Sequence, residues 1–165
     1  MKRTLIATIG VAAAIILGST AHSEIETTKA LISPSDIKWG PAPASLPAGA
    51  EAALLYGDPT KEGVFALRIR IPKDYQIPPH THPKAEVVTI LSGRFNVGMG
   101  PKADRSATQS LGAGAFMAMP PQVAHYVFSD EETVLQITSD GPWAIDYIDP
   151  KDDPRLNVAP RSGGM

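Results

Sequence analysis

Cysteine is absent from this 165-residue chain. No disulfide can staple the fold, no thiolate can hold a metal, and no acylated cysteine can anchor the chain to a membrane. Histidine is scarce, with four in all, and aromatic residues make up only 6% of the sequence. An excess of basic charge is missing too, since 15 Lys and Arg face 17 Asp and Glu. That balance gives no electrostatic footprint for nucleic acid or anionic lipid. Neither a solenoid-length repeat nor, beyond the N-terminal run, an amphipathic helix of a dozen residues can be traced.

What is present begins with a leader pattern. Lys2 and Arg3 precede an apolar run over 4–18, and Ala21-His22-Ser23 offers the small residues that a signal peptidase reads. The run is shorter than the roughly 20 residues a bilayer-spanning helix needs. A Sec signal peptide over 1–23 is therefore expected, with a retained N-terminal anchor as the alternative. A twin-arginine signal is disfavoured, because only Lys2-Arg3 is present. The expected location is periplasmic or secreted, with no stable membrane association after cleavage. Without Lys2 and Arg3, 13 basic residues remain against 17 acidic ones, a net charge of −4. The remaining chain suffices for one domain that buries about two-thirds of its unfolded surface. With no disulfide, that core must stabilise the fold alone.

The Pro-, Ala- and Ser-rich stretch 24–50 reads as extended, and the tail KDDPRLNVAPRSGGM reads as flexible. The expected division is a lead-in over 24–35, one domain over 36–150 and a tail over 151–165. Within the domain, short apolar or alternating runs recur between turn residues. They predict strands at 52–56, 64–71, 86–91, 94–99, 115–119, 125–128, 133–138 and 143–148. The turn residues include Gly57-Asp58-Pro59, Ser92-Gly93, Gly112-Ala113-Gly114 and Gly141-Pro142. Many short, evenly spaced strands predict an all-β antiparallel sandwich or barrel.

Histidine is concentrated where chemistry needs it. In PPHTHPKAE, residues 78–86, strand parity sends His80 and His82 to the same face, and Pro83 ends the ladder. Glu86 opens the next strand and is expected to return to the pocket from that neighbour. His125 starts a later strand. Because His22 lies in the leader, these three are every histidine of the expected mature chain. Three imidazoles and a carboxylate form a borderline N/O donor set suited to a divalent transition metal: iron, manganese, nickel, zinc or copper. A lone histidine is more often a surface or satisfied core residue. Two on one face beside a carboxylate, whose burial would be costly without a cation, shift the balance to a metal site.

The spacing resembles the two motifs of a cupin, specifically a small single-domain cupin of the conserved-barrel type. His80-Thr81-His82 is followed by three residues, Glu86, six residues and Gly93. Gly114 is followed by five residues, Pro120, Pro121, Gln122, two residues and His125. The resemblance spans about residues 36–148 and implies a single-domain jelly-roll β-barrel. Its metal ligands would be His80, His82, Glu86 and His125, with open coordination positions for water, oxygen or substrate. Many relatives form homodimers through an outer sheet face, so a second copy is one implied partner. Three positions depart from the pattern: Asp74 and Gln122 stand where the motifs carry glycine, and Ser129 where they carry asparagine.

Nearby residues carry weaker signals. Tyr126 should point away from His125 and pack between the sheets. Phe116, Met117, Ala118 and Met119 read as core. Trp143 and Tyr147 read either as core or as the pocket mouth. Arg68 and Arg70 share one face, which would bind an acidic substrate if inward and be solvated if outward. Two functions follow from the resemblance. One is a metal-dependent small-molecule enzyme of dioxygenase, isomerase or lyase type. The other is a non-catalytic metal- or metabolite-binding or sensing module. No dedicated acid or base beside the site can be picked out from the residues.

Overall fold

The structure, a computed structural model, describes residues 30–156; the expected leader and residues 157–165 of the tail lie outside the described residues. In chain order the first strands are β1 (Gly40–Pro41), β2 (Glu51–Tyr56), β3 (Gly63–Ile71), β4 (Gln76–Thr81), β5 (Glu86–Ser92) and β6 (Arg94–Met99). They are followed by β7 (Gln109–Gly112), β8 (Phe116–Met119), β9 (His125–Ser129), β10 (Thr133–Gly141) and β11 (Asp146–Tyr147). Three short 3-10 turns are the only helical elements among the described residues.

Alternation in the sequence becomes the pleat of β3. Phe65, Leu67, Ile69 and Ile71 are buried, while Ala66, Arg68 and Arg70 are only partly covered. On β10 the same parity buries Leu135 and Ile137, which pair directly with Ile69 and Leu67. Apolar rows on neighbouring strands therefore coincide, and each such side chain contributes about 1.5–3 kcal/mol.

The strands form two antiparallel sheets, ordered β1-β2-β3-β10-β5-β8 and β11-β4-β9-β6-β7. Between them lies one core, to which Phe65, Leu67, Val88, Ile90 and Ile137 come from the first sheet and Phe95, Val97 and Val127 from the second. This is the expected all-β jelly-roll barrel.

Several local expectations are corrected. Strand β7 was not anticipated, because its sequence QSLG has no β-branched residue and stays largely exposed. Phe116 and Ala118 are not core: β8 ends its sheet, and both lie on the exposed outer face, Phe116 at 62% exposure. Tyr126 does face away from His125, but it packs outside the barrel wall rather than between the sheets. Its ring lies against Phe128 and Gly98, and its hydroxyl donates to the Asp104 carbonyl at 2.9 Å. Arg68 and Arg70 lie on the outer face too. Arg68 donates to Gln136 at 2.8 Å, and Arg70 pairs with Glu51 at 2.8 Å beneath the Trp39 ring. They are therefore not available to a substrate inside the barrel.

Asp74 and Gln122 adopt φ of 61° and 64°, the left-handed region for which the motif glycines are suited. The departures in residue type keep the glycine backbone shape. Ser129 takes a turn role of its own, its hydroxyl donating to the Glu131 carbonyl and lying 3.5 Å from Thr133 Oγ1.

Candidate metal centre

His80 and His125 are direct register partners on β4 and β9. The Pro78-Pro79 pair interrupts the ladder between Ile77 and His80, where the register shifts. His82 follows one residue after β4 ends, and Thr81 between the two histidines is only half-buried. The parity argument thus holds: His80, His82 and His125 are 2%, 3% and 1% exposed, and their donor nitrogens all lie within 4.8 Å of one another.

Glu86 reaches the cluster by a different route from the one expected. It opens β5, which belongs to the facing six-stranded sheet rather than to the sheet carrying β4. Its buried carboxylate crosses the barrel to stand 3.5 Å from His82 Nε2 and 3.7 Å from His125 Nε2. These distances are long for hydrogen bonds. They suit donors that share one ion, since two bonds of about 2.1 Å place donor atoms about 3.0–4.2 Å apart.

Each histidine is held from behind. Nδ1 of His80, His82 and His125 lies 2.7, 2.7 and 3.0 Å from the carbonyl oxygens of Pro78, Ala144 and Val123. A carbonyl can only accept, so each Nδ1 carries the proton and each Nε2 presents a lone pair. The His82 Nε2 is buried with no hydrogen-bond partner. A backbone carbonyl behind the ring and a bare nitrogen in front is the arrangement metal-ligating histidines use. The residues fit a divalent transition metal.

The turn before β9 secures the geometry. Gln122 donates to the His82 carbonyl twice, from its backbone N–H at 2.9 Å and from its side-chain amide at 3.2 Å. Trp143 stacks on the His82 ring, centroids 5.1 Å apart and planes 18° from parallel. Tyr147 approaches His80 at 6.0 Å between ring centroids, and its hydroxyl donates to the Ser45 carbonyl. Both aromatics pack on the core, and Trp143 also lines the cavity, so Trp143 realises both meanings open in the sequence and Tyr147 the core one. The Ala144 carbonyl and Leu46, which also lines the cavity, had no sequence signal; they arrive through tertiary packing.

Above the cluster is a cavity of about 400 Å³, counted with its open mouth. Its side chains are apolar except for the histidines, Glu86 and Trp143.

Electrostatics divides the cluster. Burial, then neighbouring His125 and His82, holds His80 down at about 3. Burial also pushes His82 down, but the Glu86 carboxylate more than offsets it and the net shift is upward. Burial pushes Glu86 up, and His125 and His82 pull it further down, so it stays ionised. For the metal-free protein this sets a sign. An unfolded chain protonates His80 near 6.5, the folded one near 3, so the stability that His80 confers is complete above 6.5 and lost as pH falls. Below 6.5 the contribution of His82 is already complete and constant. The metal-free protein should therefore lose on the order of 2–3 kcal/mol between pH 6.5 and 4.5. Urea midpoints across that window check this; a flat midpoint contradicts it.

The two facing sheets, with a histidine cluster and a carboxylate inside, form the cupin fold. Residues 25–146 match the family described as "Domain of unknown function (DUF4437)", and the chain is a member of that family. A germin-like protein, subfamily 2 member 1, of Arabidopsis thaliana is 40% identical over 65 residues, covering 39% of this chain and 30% of that protein. The chain thus spans about a third of the length of the curated relatives it matches. Among solved structures, an RmlC-like cupin from Shewanella frigidimarina superposes with TM-score 0.53 at 17% identity, over 68% of this chain and 91% of that one. The polyketide cyclase RemF from Streptomyces resistomycificus does so with TM-score 0.60 at 14% identity, over 77% and 90%. At those identities the likeness is one of fold.

Proposed function

We propose that the chain is an exported, metal-dependent enzyme acting on a small molecule, with one divalent transition metal held by His80, His82, His125 and Glu86. The observation that carries this reading is the set of three Nδ1–carbonyl contacts, which commit three Nε2 lone pairs to one point beneath an apolar cavity. When bound, the metal supplies Lewis acidity toward a substrate oxygen or bound water, and oxygen chemistry if it is iron. The chain's own residues orient the donors, exclude water and hold Glu86 ionised.

A second reading, a non-catalytic binding or sensing module, is favoured by one observation. Apart from the cluster itself, no side chain lining the cavity titrates, so no separate acid or base stands ready. Export follows from the leader pattern of residues 1–23; no helix among the described residues is long and apolar enough to cross a membrane.

Elemental analysis with native mass spectrometry, on protein exported by its own cell, tests the metal reading. One transition-metal ion per chain is expected, and a folded, metal-free protein overturns it. Incubating the loaded protein with a metabolite pool separates the two functions. New products indicate turnover, whereas a retained but unchanged metabolite indicates binding alone.

Glu86→Gln keeps the volume and removes the charge. The variant should fold and bind metal at least 10- to 100-fold more weakly, the loss already caused by removing a group that only supports a ligand from behind. Competition with a chelator of known affinity measures it. Parent-like affinity would remove Glu86 from the ligand set.

A further inference from the structure

The cavity wall restricts what the site can accept. Of its side chains, those outside the cluster are hydrocarbon, among them Leu46, Ile77, Phe95, Val127 and Ile145, with the single exception of Trp143. A sugar or polyol would shed its water there and find no partner for its hydroxyls. Charge narrows the choice further. Three neutral imidazoles, one carboxylate and a divalent cation sum to a single positive charge. A monoanion cancels it, whereas a dianion leaves an uncompensated negative charge in an apolar space. Arg68 and Arg70 cannot supply the difference, because both are engaged on the outer face.

One polar atom remains. The Trp143 indole is fixed by stacking on His82 and by its backbone N–H, which donates to the Pro59 carbonyl at 2.8 Å. Its Nε1 is buried and has no acceptor in the protein. A ligand oxygen seated beside the cluster would satisfy it, and an N–H left unmatched is costly.

We infer that the site takes a monoanionic oxygen ligand with an apolar body, such as an enolate, a phenolate or a monocarboxylate, and that the Trp143 N–H orients it. This rests on the metal reading above and deepens it.

The test uses the full chain loaded with zinc, titrated by calorimetry with two probes. Tropolone is a monoanionic oxygen donor on a hydrocarbon ring; oxalate is a compact dianion. Metal content is measured before and after. Tropolone should bind at least tenfold more tightly than oxalate. Trp143→Phe, which keeps a ring against His82, should weaken tropolone about five- to tenfold, the value of one hydrogen bond, at unchanged metal content. In the parent, the Trp143 indole proton resonance should move downfield on tropolone binding, while that of Trp39 on the outer face stays in place. This readout needs no variant, so it stands even if Trp143→Phe fails to fold. A chain that takes up neither zinc nor iron, manganese, nickel or copper offered in its place defeats the metal reading itself. One that holds zinc but prefers oxalate, or whose Trp143 resonance ignores tropolone, overturns this inference alone.

Discussion

Chelating the metal from the loaded protein is expected to lower its melting temperature by on the order of 10 °C, and His80→Ala or His125→Ala should abolish both the stoichiometric metal and the chelator's effect. The size follows from mass action. An ion present at about 1,000 times its dissociation constant stabilises the folded state by about 4 kcal/mol. For a domain of this length that is several degrees per kcal/mol. The sign follows from position: the donors come from β4, from the residue just beyond it, from β5 in the opposite sheet and from β9. An unfolded chain cannot bring these together, so the ion binds only the folded state. Differential scanning calorimetry of parent and variants, with and without chelator, gives the result. If both variants kept one ion per chain, the cluster would not be the metal site.

Gly93→Ala is expected to cost about 3 kcal/mol or more, without touching any ligand. Gly93 turns the chain from β5 into β6 at φ +77°. A Cβ there would lie 2.3 Å from the Glu132 carbonyl oxygen and 2.7 Å from Thr133 Cα, both backbone atoms. Thr133 cannot yield, being fully buried, with its Oγ1 accepting from the Arg94 N–H and donating to carbonyl oxygen. The strain of the left-handed backbone, about 1–2 kcal/mol, adds to this clash. Gly114 provides the comparison. Its φ is +83°, yet nothing lies within 4 Å of the added carbon. Gly114→Ala should therefore show the backbone penalty alone. Equal losses for the two variants, read from urea unfolding, would mean the close approach at Gly93 carries no energy.

The class of fold was legible because one signal repeated. Strand parity in LRIRI and TVLQIT survives folding intact, since both strands are central and have one face on the core. Where that condition fails, so does the reading. AFMAM is apolar throughout, and only its place at the sheet edge decides that Phe116 is exposed. The run WAIDYI shrinks to β11, while β10 extends through Gly141.

The site divides in the same way. His80 and His82 share a face by parity alone, which spacing reveals. That Glu86 stands across the barrel rather than on the adjacent strand is a matter of sheet partition, which spacing does not encode. The three carbonyls behind the rings have no side-chain signature at all. Asp74 and Gln122 are instructive for the opposite reason. Their types depart from the motif, yet their backbone does not, so the geometry had to be seen to be known.

Gln122 ties the stretch that carries His125 to the backbone of His82 through two contacts on a single oxygen. Two imidazoles from separate segments are thereby coupled before any cation arrives. On the metal reading an incoming ion would meet seats already in place, and the pace of its capture would then reflect how quickly it sheds its own hydration, not how quickly the polypeptide rearranges around it.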